Sequence, residues 1–166
     1  FTRWAISDLD PLTVTAARML FGALTVIFFS FLWQRRWQAP ARKEWPLYLI
    51  FGLVAAAHFG FYIAALEYTT IAHALSITYT APIWVTLFAR VFLRESFARA
   101  KWPGVLLTVA GIGILTGFEP AFDRSMLVGD LLALGSAVCF GLYSVAGRSQ
   151  RERSSLFTYA GSVYGL

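Results

Sequence analysis

The sequence predicts an all-α membrane protein, a polytopic bundle of helices. Four long segments of the 166-residue chain carry no Lys, Arg, Asp or Glu, namely residues 45–66, 68–89, 102–118 and 131–147. A helix needs about 17–25 mostly apolar residues to cross the hydrocarbon core of a bilayer. Hydrophobic residues make up 58% of the chain. The connections between these segments alternate in charge, as is typical of helices that cross a membrane in turn.

This alternation also predicts the topology. The connections at residues 34–44, 90–101 and 147–154 are net basic, whereas the connection at 119–130 is mainly acidic, as are Asp8, Asp10 and Glu67. Because basic loops stay in the cytoplasm, we expect the three basic connections inside and residues 119–130 outside. The net charge of +5 is explained by these short loops, so the lipid bilayer is the expected partner and nucleic acid is not.

Local signals mark where the predicted spans begin. Residues 1–6 are interpreted as the tail of a first helix. Asp10 followed by Pro11 suits the start of a span at residues 11–33. Trp-Pro pairs open the spans at 45–66 and 102–118, with the Trp at the headgroup level. A further span is predicted at about 126–146, and another begins near residue 155.

The span predicted at residues 70–93 contains Pro82 near its middle. A proline there removes one backbone hydrogen bond, frees the carbonyl of Thr78 and kinks the helix. The kink serves either packing or a cavity, since irregular backbone at membrane depth is tolerated where it lines one.

Small residues recur at every fourth position in three spans. They stand at positions 52, 56, 60 and 64, at 113 and 117, and at 129, 133, 137 and 141. Such stripes let helix backbones approach closely in lipid. We interpret them as packing seams within the chain, with a homodimer interface as the less favoured alternative.

Polar and aromatic side chains inside the spans are the candidate site residues. Arg18 lies about two turns into its span, where a cation costs roughly 2.5–3.5 kcal/mol to insert, so it should face the bundle interior. It either contacts an anionic substrate group or bonds to backbone carbonyls, or it extends outward to the interface. His58 and His73 either relay protons or serve packing. The hypothetical substrate path comprises Arg18, His58, Tyr62, His73, Ser76, Thr80, Pro82, Trp84 and Tyr143.

The sequence predicts no enzyme, metal site or cofactor. Cys139 is the only cysteine, and His58, Glu67 and His73 do not follow a ligand spacing. GxSxG, HExxH and P-loop motifs do not occur. An intramembrane enzyme and a channel-like helical bundle remain as alternatives to a transporter.

A weak internal repeat points to a transporter. Residues 11–17 (PLTVTAA) align with residues 155–161 (SLFTYAG), five predicted spans later. Because five is odd, the second copy is inverted, and the charge before the repeat changes from two Asp to three Arg. Inverted repeats are typical of secondary transporters, whose site lies near the midplane between the halves.

Four stretches then resemble, in order, the signatures of the EamA domain of the drug/metabolite transporter superfamily. They read DLDPLTVTAARML, ALEYTTIAHALSITYTAPIWVTLFARVFLRE, KWPGVLLTVAGIGIL and GDLLALGSAVCFGLYSV. By this resemblance, Pro11, Arg18, Pro82 and Glu95 match the family's motif residues.

The resemblance implies a ten-helix carrier made of two inverted five-helix repeats. Residues 1–118 would hold the first repeat without most of its first helix. Residues 119–166 would hold the sixth helix and the beginning of the seventh. The implied function is alternating-access transport of small organic metabolites, such as amino-acid-like compounds or drugs. Export is favoured over import, in a bacterial plasma membrane and without a cofactor.

Overall fold

The computed structural model describes residues 10–34, 41–96, 102–117, 123–150 and 156–165. Within these ranges the chain is helical, as the sequence predicts. The helices are α1 (Pro11–Gln34), α2 (Trp45–Tyr68), α3 (Ile71–Thr78), α4 (Ala81–Phe92), α5 (Trp102–Gly117), α6 (Arg124–Ser149) and α7 (Leu156–Gly165), with a 3-10 turn at Arg42–Glu44.

Four stretches of the described chain are long and apolar enough to cross a membrane, and α5 holds a shorter apolar one. They are Leu12–Leu32, Arg42–Tyr68, Ile71–Phe92 and Arg124–Ser149. Large apolar side chains cover their outer surfaces; Phe21 of α1, for example, is 68% exposed. A soluble monomer rarely exposes apolar surface on this scale. The fold is therefore that of an integral membrane protein, with these faces suited to lipid.

Side-chain caps begin three of the helices. The hydroxyl of Thr13 and the N–H groups of Leu12 and Thr13 donate to the carboxylate of Asp10 at the start of α1. These bonds, led by the one from the Thr13 hydroxyl, hold the pKa of the exposed Asp10 carboxyl below its ordinary value. Thr70 and Asp123 cap α3 and α6 in the same way, so each helix begins at a fixed residue.

The central pair of the bundle is α2 and α6. The small residues of α6 form the seam along which it packs on α2 and α4, since positions 129, 133, 137 and 141 are all buried. A Cβ added at Gly129 would lie 2.6 Å from the Cβ of Thr69, and one at Gly141 would lie 2.7 Å from the Cβ of Trp84. The predicted seam is confirmed in α6. At Gly60 of α2 and Gly113 of α5, by contrast, an added Cβ would meet nothing within 4 Å, so no close approach occurs at these two positions of the predicted stripes.

The two ends of the bundle differ in charge. At one end, which we call the basic end, Arg148 in the last turn of α6 donates to Glu95 after α4 over 2.8 Å. At the other, the acidic end, Thr69 after α2 donates to Asp130 in α6 over 3.0 Å. The connections that follow α4 and α6 thus share one end, as the charge alternation predicts. The charged residues at 35–36, 99–101, 119 and 151–153 lie outside the described residues.

Helix α7 packs beside α1 and against the beginning of α2. The ring of Tyr159 lies 6.0 Å from that of Tyr48 and 6.1 Å from that of Phe51. Its hydroxyl donates to the carbonyl of Tyr143, near the end of α6. Helix α7 therefore begins at the basic end, whereas α1 begins at the acidic end, so the two helices run antiparallel.

The span predicted as one kinked helix at residues 70–93 is broken instead. Helix α3 ends at Thr78 and α4 begins at Ala81. The N–H and the hydroxyl of Thr80 both donate to the carbonyl of Ile77, at 3.0 and 2.7 Å, and these bonds close a turn. Pro82 lies in the first turn of α4, where its missing N–H leaves no bond unmade. The irregularity predicted at Pro82 is therefore present, but as a two-residue break between α3 and α4 instead of a kink within one helix.

Candidate functional site

The helix break opens onto a cavity of about 450 Å³ between α1, α2, α3, α4 and α6. Most of its wall is apolar and aromatic, with a few polar groups among them, which is the usual composition of a small-molecule site. The lining residues are Arg18, His58, Phe59, Tyr62, Leu75, Thr78, Tyr79, Ala81, Pro82 and Phe140.

Arg18 provides the positive charge of this cavity. It lies seven residues beyond Pro11, about 10 Å along the axis of α1 at 1.5 Å per residue. The guanidinium carbon is 5.3 Å from the centroid of the Phe59 ring, a geometry that allows attraction between the cation and the ring. A cation at this depth is expensive in lipid and marks a candidate functional residue. The Arg18 side chain lines this cavity and is exposed in the structure, and its predicted position facing the bundle interior stays a prediction.

His58 is held in one orientation between α2 and α6. Its Nδ1 lies 2.9 Å from the carbonyl oxygen of Ser136 and 2.8 Å from the hydroxyl oxygen of the same residue. The rings of Phe59, Phe140 and Tyr143 surround it at centroid distances of 4.8, 5.2 and 5.9 Å. These contacts fix one edge of the imidazole, so His58 forms a rigid part of the cavity wall.

Two helix ends meet at the cavity. The carboxyl end of α3 brings Thr78, and the amino end of α4 brings Ala81 and Pro82. The hydroxyl oxygen of Thr78 is buried and has no hydrogen-bond partner among the described residues. The amino end of a helix carries a partial positive charge and the carboxyl end a partial negative one. A polar ligand at the break would therefore meet both signs at close range.

His73 lies away from the cavity and pairs with Asp130, an aspartate that the charge pattern predicts in an external connection. Its Nδ1 is 3.2 Å from Oδ2 and 3.3 Å from Oδ1 of Asp130, which also accepts the hydroxyl of Thr69. The side chain of His73 is completely buried, and that of Asp130 is 13% exposed. The signal that could have identified Asp130 is its position one turn inside the span predicted to begin near residue 126.

The family of the chain is shown by comparison with known proteins. Residues 1–117 match the EamA-like transporter family. The chain belongs to this family. It is 29% identical over 152 residues to the threonine/homoserine exporter RhtA of Salmonella typhimurium, covering 90% of the chain and 48% of that protein.

Two other relatives of this EamA-like chain are similar over comparable lengths. It is 29% identical over 143 residues to the pseudopaline exporter CntI of Pseudomonas aeruginosa, covering 85% of the chain and 50% of that protein. It is 25% identical over 147 residues to the uncharacterized transporter YoaV of Bacillus subtilis, covering 87% and 50%. The EamA-like chain thus spans about half the length of the curated relatives that it matches. No solved structure matches it.

The structure brings four of the nine predicted site residues of this EamA-like chain into one cavity: Arg18, His58, Tyr62 and Pro82. Trp84 packs on Gly141 of α6, and Tyr143 lines a second, mainly apolar cavity of about 410 Å³ that also includes Phe51 and Phe92. Thr80 closes the turn, Ser76 is half-buried, and His73 faces Asp130. Within the described ranges, no three His, Cys, Asp or Glu side chains are placed to hold a metal ion.

Proposed function

We propose that this EamA-like chain is part of a secondary transporter that exports small organic metabolites by alternating access. The observation that carries the proposal is the cavity at the helix break, where Arg18 meets an aromatic wall. Its family, and relatives described as exporters of threonine and homoserine and of pseudopaline, support the same class of function.

The chemistry of the cavity favours an amino-acid-like substrate. The guanidinium of Arg18 would bind a carboxylate in a two-pronged contact. The amino end of α4 would favour the same negative charge. The rings of Tyr62 and Phe140 would pack on an apolar portion of the substrate. The carboxyl end of α3 and the Thr78 hydroxyl would accept hydrogen bonds from an ammonium group, so a zwitterion fits both signs of the site.

We further propose that the whole protein has ten helices in two inverted repeats, with residues 1–118 in the first and 119–166 opening the second. Two observations support this arrangement. The relatives are about twice as long as the chain. Helices α1 and α7, which carry the two copies of the repeat, pack against each other in opposite directions. An axis in the membrane plane would relate two such helices, and the transport site would lie near it.

The test uses the whole protein, purified and reconstituted in liposomes loaded with unlabelled threonine. We expect saturable counterflow of external [14C]threonine, and recovery of the tracer unaltered. Arg18→Leu should reduce counterflow at least tenfold in protein that remains monodisperse in detergent. Arg18→Lys should restore it only in part, because an ammonium cannot reproduce the planar fork of a guanidinium.

Each rival function has its own signature in this experiment. Chemical conversion of the tracer would indicate an intramembrane enzyme, and voltage-driven ion current without counterflow would indicate a channel. Full counterflow by Arg18→Leu would remove Arg18 from the substrate site. Arg90→Leu is the matched control, since Arg90 is an exposed arginine in the last turn of α4 and does not line the cavity.

A further inference from the structure

At the acidic end of the bundle, a buried imidazole faces a carboxylate inside two predicted spans. We propose that His73 and Asp130 form a proton-binding site that couples proton movement to transport, an inference that rests on the function proposed above. Ionisable residues within membrane spans are rare and usually mark ion or proton pathways. Histidine is the side chain whose charge changes most readily near neutral pH.

The pair can bind and release one proton as a unit. Nδ1 of His73 faces both oxygens of Asp130, at 3.2 and 3.3 Å, and the hydroxyl of Thr69 donates to the same carboxylate. Without the extra proton, a neutral imidazole donates to the carboxylate and the pair has a net charge of −1. With it, imidazolium faces carboxylate and the net charge is zero. In one cycle of exchange, the proton comes from water at the acidic end, which reaches the partly exposed Asp130, and it is released to water on the opposite side of the membrane once the cavity has opened there.

The other ionisable groups near the pair lie at helix ends. Among the elements that pack against α3, helix α5 has no ionisable residue in its sequence. Those on α2 and α6 at this end are exposed: Glu67, Tyr68, Asp123 and Arg124. Because His73 is buried and Asp130 only 13% exposed, water screens a change of charge on this pair less than on the exposed groups around it.

Helix α3 connects this pair to the cavity. It has only eight residues, with His73 in its first turn and Thr78 at its end, about 7 Å farther along the axis. A change in the attraction between α3 and α6 at the pair would therefore move the cavity wall. At the basic end, Glu95, which follows α4, forms an ion pair with Arg148 of α6. An arginine keeps its charge throughout the physiological pH range. Of these two contacts, we therefore expect the one between His73 and Asp130 to change when a proton binds.

The first experiment needs no substrate. In a cysteine-free background that includes Cys139→Ser, Tyr79→Cys places a thiol at the helix break. Its labelling by an impermeant maleimide is measured at pH 6 and pH 8 and normalised to denatured protein at each pH. We expect the normalised labelling of the parent to change at least threefold between pH 6 and pH 8. In Asp130→Asn and His73→Asn it should stay about the same at the two pH values. Unchanged pH dependence in Asp130→Asn, or none in the parent, would overturn the proposal.

Two variants separate proton binding from a merely structural role. Asp123→Asn makes the same chemical change at the N-cap of the same helix, and because Asn caps a helix as well as Asp, this variant should keep the pH dependence. Thr69→Val removes a hydrogen bond to Asp130 but no titrating group, so this variant should also keep the pH dependence of labelling. If Thr69→Val abolishes the pH dependence as completely as Asp130→Asn does, the cluster is structural and the proposal fails.

The second experiment measures coupling in the whole protein with [14C]threonine. If one proton exchanges for each substrate molecule, a gradient of one pH unit supports up to about tenfold accumulation. Asp130→Asn should lower this to about onefold while counterflow stays within threefold of the parent. Loss of both activities in folded Asp130→Asn would contradict a coupling role. Absence of counterflow in the parent would refute the proposed function for threonine, and the labelling experiment would still decide whether the pair controls the break.

Discussion

Replacing Gly129 by alanine tests the close approach of α6 to the turn between α2 and α3. The added Cβ would lie 2.6 Å from the Cβ and 2.8 Å from the backbone nitrogen of Thr69, whereas carbon atoms normally pack at about 3.5–4.0 Å. Since backbone is involved, relief requires the α2–α3 turn to shift by roughly 1 Å relative to α6, a movement inferred from that spacing. Overpacking of this kind costs about 1–3 kcal/mol.

The matched control is Gly60→Ala in the middle of α2, where a Cβ would meet nothing within 4 Å. Alanine favours helix over glycine by about 1 kcal/mol in both variants, so this contribution cancels in their comparison. We therefore expect Gly60→Ala to match or exceed the parent in stability. Gly129→Ala should be less stable than Gly60→Ala by about 1–3 kcal/mol, the overpacking term alone.

The assay is reversible unfolding of the whole protein in mixed micelles with increasing SDS, followed by tryptophan fluorescence. The quantity compared is the free energy of unfolding obtained from each midpoint and slope. Equal stability of the two variants would show that α6 does not approach Thr69 closely. In that case the hydrogen bond from Thr69 to Asp130 would also lose its structural basis.

Two further predictions concern the ends of the bundle. Ser96→Cys and Ser125→Cys, in a cysteine-free background, should be labelled by an impermeant reagent only from inside and only from outside the cell, respectively; labelling of Ser96→Cys in intact cells would contradict the topology. The Thr13 hydroxyl and nearby N–H groups lower the pKa of Asp10, so the cap should stabilise α1 above the ordinary carboxyl pKa and lose its effect as the pH falls through the lowered value. Asp10→Asn should remove this acid-dependent part of the stability, and an unchanged acid profile would refute the assignment.

The spans were predictable from sequence because a bilayer imposes a strong, local requirement. Any helix that crosses it needs a long apolar run, and the charges must collect in the connections. The seam of α6 was predictable for a similar reason, since only small residues at every fourth position permit close backbone approach. The acidic end was less predictable. His73 and Asp130 are 57 residues apart, and no local pattern indicates that they meet.

The cavity could be predicted only in part, because helical spacing identifies a face but not the neighbour opposite it. The spacing of His73 and Trp84 predicts that they lie on one face, and both do contact the same helix, α6. His73 meets Asp130 and Trp84 meets Gly141, so this face packs on α6 and does not line the cavity. The cavity lies beside it and takes Thr78, Tyr79 and Pro82. The break was predictable only in part. Pro82 indicates which backbone hydrogen bond is lost, but the helix ends because the N–H and hydroxyl of Thr80 both bond to the carbonyl of Ile77, which the sequence does not indicate.

The break matters for the proposed mechanism because it makes two short helices of one span. A continuous kinked helix would carry movement at one membrane surface directly to the other. Here His73 of α3 contacts Asp130 of α6 at the acidic end. At the basic end, Glu95, which follows α4, forms an ion pair with Arg148 of α6. The turn at Tyr79 and Thr80 lies between these two contacts, and its Tyr79 lines the cavity. Under the proposed function, two separate contacts with α6 would let the two ends of the span move in turn, as alternating access requires.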